Sequence, residues 1–170
     1  MDIDVALKSL GEVDIRELHD AIAQLNREAW LAQQIRQNEY EVHQQTESIV
    51  LLFTDGKGWP AITIRKEHGW SLLSEQVMPI VEYIFTRNYE PGGLLIRVMI
   101  ASLPPGHVIK PHVDLHPSFR AGHRIHVPIT TDSRVRFMID GQPYRLEPGQ
   151  AYEINNQKHH SVMNKGTEAR

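Results

Sequence analysis

At 170 residues, with 41% hydrophobic and 23% charged positions and a formal net charge of -3, the chain suits one domain with a real core. Nucleic acid is not an expected partner, since there is no bulk attraction to a polyanion, and the absence of cysteine excludes disulfides and thiolate metal sites. The acidic, mixed N-terminus lacks the pattern of a secretory signal, and no apolar run approaches the ~20 residues that span a bilayer, so a soluble, cytoplasmic protein with no membrane partner is expected.

Asp14 and Glu17 have the spacing of a capping box, with Val13 and Leu18 placed to staple across it, and predict a helix start. Ile15, Leu18, Ile22, Leu25 and Ala29 continue it as one apolar stripe. Ser48 to Thr54 is a short apolar, β-branched run stopped by Asp55-Gly56-Lys57-Gly58, which predicts a strand ending in a turn. Pro79 fits the first turn of a second helix that buries Ile80, Val81, Ile84 and Phe85 and cannot continue through Pro91-Gly92-Gly93.

Beyond Gly93 every apolar run is short and bounded by turn chemistry. The runs are 94–103, 108–113, 124–130, 134–139, 143–146, 151–154 and 159–163, a spacing that predicts a sandwich or small barrel. Asp140-Gly141 between two of them is a hairpin signal. No linker or repeat interrupts the chain, so residues 1–170 read as a single domain, mainly β, with 1–93 as a helical brace plus first strands and 94–170 as the β core.

Seven of the ten histidines fall in the β half. In an extended segment side chains alternate between faces, so His112 and Asp114 point the same way and can grip one ion. Two imidazoles and one carboxylate on one side of Fe(II) leave positions open for a co-substrate and O₂. The competing reading makes His112 and Asp114 surface polar residues at a strand end. His159 and His160 are adjacent and face opposite ways in a strand, so one of them at most joins such a centre, and parity alone does not choose. Arg124 and His126 share a strand face, as a lining for an anionic co-substrate or as a surface arginine beside a buried histidine. His107, His116, His123, His19, His43 and His68 need no special role.

From Leu94 to Arg170 the sequence resembles the aspartyl/asparaginyl β-hydroxylase family. The resemblance runs through Leu103-Pro104-Pro105-Gly106 to Pro111-His112 and Asp114, then Arg124-Ile125-His126-Val127-Pro128-Ile129, Gly149-Gln150-Ala151-Tyr152 with Asn156, and His160, Val162, Asn164 and Arg170. It implies a double-stranded β-helix, a cupin-like jelly roll braced by N-terminal helices, and a dioxygenase dependent on Fe(II), 2-oxoglutarate and O₂. His112, Asp114 and His160 would be the metal ligands and catalytic centre; Arg170 would bind the distal carboxylate of 2-oxoglutarate, helped by Arg124 and His126. Ala101 stands where some members carry a serine for 2-oxoglutarate, and the family continues into another core strand where the given sequence stops at Arg170.

The expected function is hydroxylation of an aspartyl or asparaginyl side chain, or of a related amino-acid substrate, carried by a small molecule, peptide or protein. The alternative is a non-catalytic cupin-like module that holds a metal or small anion. Fold and family imply a reaction class, not a molecule.

Overall fold

The computed structural model describes residues 1–32, 45–54 and 59–170, so the Asp55–Gly58 turn and His43 lie outside the described residues. The chain divides into two compact units, one comprising residues 13–35 and 47–101 and the other 1–12, 36–46 and 102–170. Both build antiparallel pairs, and among the described residues strand outweighs helix.

The first unit holds helices α1 (Arg16–Ala23), α2 (Arg27–Leu31) and α3 (His68–Asn88), with strands β2 (Glu47–Thr54), β3 (Ile64–Lys66) and all but the last residue of β4 (Val98–Ser102) in the order β3-β2-β4. β2 is buried along nearly its whole length, as its apolar run requires of a central strand, and α3 packs on it. Gly69 permits that approach: a Cβ there would stand 2.6 Å from both Ile49 Cγ2 and the Val50 carbonyl oxygen.

Three sequence expectations need correction here. The capping box does not form, because Asp14 accepts from the backbone N–H and the guanidinium of Arg16, and the N-cap is Ile15 with no side-chain bond. The long stripe to Ala29 breaks into two helices, because Asn26 caps a new start by accepting the Ala29 N–H at 3.0 Å. The later helix begins at His68, so Pro79 lies inside it; burial of Gly69, Leu73, Val77, Ile80 and Ile84 outweighs the roughly 3 kcal/mol that an interior proline costs.

In the second unit, β1 (Leu7–Glu12), β9 (Gln150–Ile154) and β6 (Ile125–His126) form one sheet in the order β1-β9-β6. A second sheet has the order β5-β10-β7-β8, from β5 (Val108–His112), β10 (His160–Asn164), β7 (Val135–Ile139) and β8 (Gln142–Tyr144). Tyr152 and Ile154 from the first sheet meet Phe137, Ile139 and Val162 from the second, with Leu103 and Leu146, in one buried cluster. The sandwich core therefore lies between the two inner faces. Asp140 and Gly141 turn β7 into β8 with φ of 53° and 75°, the double left-handed conformation of the hairpin expected from their sequence.

The predicted strand over 124–130 shrinks to two residues because Pro128 has no N–H to give, while its carbonyl accepts from Gly149 at 3.0 Å. A short helix α4 (Pro117–Ala121), with proline in its first turn, occupies a stretch read from sequence as turn.

The last residues of the second unit are fastened by Asn164, which is wholly buried. Its Nδ2 donates to the Leu103 and Glu168 carbonyls at 2.9 and 2.8 Å, and its Oδ1 accepts from Gly166 at 2.8 Å. Leu103 and Arg170 then exchange both backbone bonds, at 2.7 and 3.0 Å. Asn164→Ala is expected to cost about 3 kcal/mol, roughly 1 for each bond, read as a lowered urea midpoint at unchanged slope.

Candidate metal centre

His112 ends β5 and His160 begins β10, and the two are direct partners across that antiparallel pair. Their rings lie 4.3 Å apart between centroids. Asp114 follows β5, and its backbone N–H reaches the Asn156 carbonyl at 3.3 Å, in the turn between β9 and β10. Two strands and two connections thus bring His160 to a pair of residues nearly fifty positions earlier, His112 and Asp114. His112 Nε2 stands 3.9 Å from Asp114 Oδ1, and His160 Nε2 stands 3.8 Å from Asp114 Oδ2. One donor atom from each of the three lies within 4.8 Å of the other two.

Orientation within the cluster comes from the main chain. His112 Nδ1 meets the Lys110 carbonyl at 2.8 Å and His160 Nδ1 meets the Lys158 carbonyl at 3.0 Å. A carbonyl only accepts, so each ring donates from Nδ1 and turns its Nε2 lone pair toward the carboxylate. His160 Nε2 is buried and takes no hydrogen bond; His112 Nε2 is buried without one too, although that ring is engaged elsewhere. Two inward lone pairs beside a carboxylate are a donor set that would hold a divalent ion. Asp114 is also the acceptor of Arg124 Nη1, at 2.5 Å.

Burial holds the His160 imidazole down at about 4; the nearby Arg124 and His112 push the same way, and the Lys158 carbonyl and Asp114 oppose. The native state therefore declines a proton that the unfolded chain accepts near pH 6.5. In metal-free protein this contribution is complete above pH 6.5 and is lost as pH falls toward about 4, amounting to roughly 3 kcal/mol. Urea titrations from pH 7.5 to 4.5 should show that decline, and His160→Gln should flatten it.

The other site residues expected from sequence form a row. Arg124 Nε donates to His126 Nε2 at 3.3 Å, confirming that the two share a face. The His126 ring meets the Phe137 ring edge-on at 5.7 Å, and the Arg170 guanidinium lies 5.3 Å from the Phe137 centroid. Burial pulls the Arg170 guanidinium down to about 10, and Arg170 has no carboxylate partner among the described residues. Its backbone is fixed to Leu103.

Four further histidines of the β half lie outside the cluster. His159 is exposed, His107 bonds the Pro105 carbonyl, His116 caps α4 by accepting from Ser118, and His123 pairs with buried Glu153. Arg134 and Arg145 are spent on Asp132 and Glu147. Sequence reasoning missed Phe119, whose ring lies 5.2 Å below the Arg124 guanidinium, and the Gln157 side chain, which reaches the Asp114 carbonyl at 3.4 Å. Pro117 after His116 was the available signal for the helix that carries Phe119.

A β sandwich that gathers two imidazoles and a carboxylate, with inward lone pairs and a row of cationic and aromatic groups beyond them, defines a candidate metal-dependent β protein. Comparison with known families refines this class. The aspartyl/asparaginyl β-hydroxylase profile matches residues 14–170, and the chain belongs to that family. Membership supports an oxidoreductase of hydroxylase type. Among curated proteins, none matches the chain. No helix of the described residues is long and apolar enough to cross a membrane.

Proposed function

We propose that the chain is an Fe(II)- and 2-oxoglutarate-dependent dioxygenase, built on a double-stranded β-helix, that hydroxylates an aspartyl or asparaginyl side chain or a related amino-acid substrate. The His112, Asp114 and His160 donor set carries the reading, since its type suits a non-haem iron with open positions. When bound, that iron with O₂ and 2-oxoglutarate would supply the oxidising power to hydroxylate a C–H bond, with succinate and CO₂ as co-products.

The protein's own residues bind and orient. Arg170 is a desolvated cation, an environment in which pairing with a carboxylate is strong, and this supports its assignment to the distal carboxylate of 2-oxoglutarate. Phe137 holds that guanidinium on one side and His126 on the other, and Arg124 continues the row to the metal cluster. A dicarboxylate with its ends several bonds apart suits a row with one cation at each end. Tyr152, on β9 opposite His126, donates no bond into this row; its hydroxyl accepts the Glu147 N–H at 3.1 Å and braces the wall.

Purified protein with Fe(II), ascorbate and 2-oxoglutarate should release succinate, and a screen over aspartate, asparagine and short peptides should find a stimulating substrate. Arg170→Met should weaken 2-oxoglutarate binding by about 10-fold or more, measured by calorimetry on metal-loaded protein. Binding of 2-oxoglutarate that needs neither metal nor Arg170 would instead favour a non-catalytic module.

A further inference from the structure

Asp114 presents its two oxygens to different neighbours. Each faces one imidazole, Oδ1 at 3.9 Å from His112 Nε2 and Oδ2 at 3.8 Å from His160 Nε2, but Oδ2 alone also accepts a hydrogen bond, from Arg124 Nη1 at 2.5 Å. The guanidinium is held on two further sides, by the His126 imidazole at 3.3 Å from Nε and by the Phe119 ring face at 5.2 Å. The backing is itself tied down, because Asn156 Nδ2 donates to the Phe119 carbonyl at 3.0 Å while the Asn156 carbonyl takes the Asp114 N–H. Arg124 is four-fifths buried and Asp114 more so, and burial gives a charge-assisted bond a strong hold on the carboxylate.

We propose that Arg124 is a positioning residue that makes Asp114 a one-oxygen ligand: it occupies Oδ2 and leaves Oδ1 to the metal. The inference rests on the metal reading above and deepens it. A carboxylate binds a divalent ion through one oxygen or two. With two imidazoles and one carboxylate oxygen, a six-coordinate ion keeps three positions, enough for a chelating co-substrate and O₂. A chelating Asp114 would remove one of them, and the site would be full before O₂ arrived. Arg124 Nη2 makes no hydrogen bond to any described residue, so the same guanidinium can hold Asp114 with one nitrogen and offer another to an anion.

The test uses the full chain loaded with Mn(II) alone, with water-proton relaxation counting the exchangeable waters on the ion. The wild type is expected to carry about three, and Arg124→Gln about two, a fall in relaxivity per bound ion of about one third. Arg124→Lys, which keeps a single cationic donor, should restore the wild-type value. Equal relaxivity in wild type and Arg124→Gln, with binding lost in His112→Ala, overturns the inference and leaves the metal site standing. Mn(II) binding that survives His112→Ala overturns the metal site and the inference together. A wild type with only two waters overturns the inference even where neither Arg124 variant folds.

Discussion

Asp114→Ala should lower divalent-metal affinity by more than about 100-fold and at the same time destabilise the metal-free protein by about 3–5 kcal/mol. The first effect follows from losing the only carboxylate in the donor set. The second follows from what remains: Arg124 is four-fifths buried, and Asp114 is its only ion-pair partner among the described residues. An unpaired cation in that position pays desolvation without recompense. In an Arg124→Met background the stability cost of Asp114→Ala should largely vanish, because no charge is then stranded, while the loss of metal affinity should persist. Urea melts and calorimetry with Mn(II) read the two effects separately. Equal stability costs in both backgrounds would contradict the ion pair, and retained affinity would contradict the metal site.

Phe137→Ala should cost about 3–5 kcal/mol and lower the melting temperature by roughly 10 °C. The ring is almost fully buried in the cluster between the two sheets, where its loss opens a cavity that strands paired on both sides cannot close. Phe137→Leu retains most of the volume and should cost under about 1.5 kcal/mol. The pair of variants also separates packing from recognition. In the proposed 2-oxoglutarate site, Phe137→Leu removes the aromatic face under Arg170 and beside His126 while the core stays filled, so weaker 2-oxoglutarate binding in a stable protein identifies the ring as part of that site.

Much of the candidate centre was legible because it is written in strand parity. His112 and Asp114, two apart, do face one way; parity admits only one of His159 and His160 without choosing, the family resemblance points to His160, and it is His160 that turns inward, opposite His112. Arg124 and His126 share a face for the same reason. What parity does not encode is which groups meet across the sandwich, so the bond from Arg124 to Asp114 and the row through Phe137 to Arg170 needed coordinates. The helices were less legible. Pro79 reads as a beginning because proline ordinarily is one, and only the burial of Leu73 and Val77 before it shows that the helix had already started. Leu7–Glu12 carries too few apolar residues to announce a strand, and it takes its conformation from pairing with β9.

The acceptors that fix both imidazoles are the carbonyls of residues 110 and 158, and carbonyls belong to every amino acid. The alignment of the two rings is thus indifferent to which side chains those positions bear. Mutation can change the charge and reach of the surface around the centre, lysine by lysine, without disturbing the aim of its nitrogen donors. A centre arranged in this way can be re-tailored at its rim while the aim of its two imidazoles is secured by main-chain geometry.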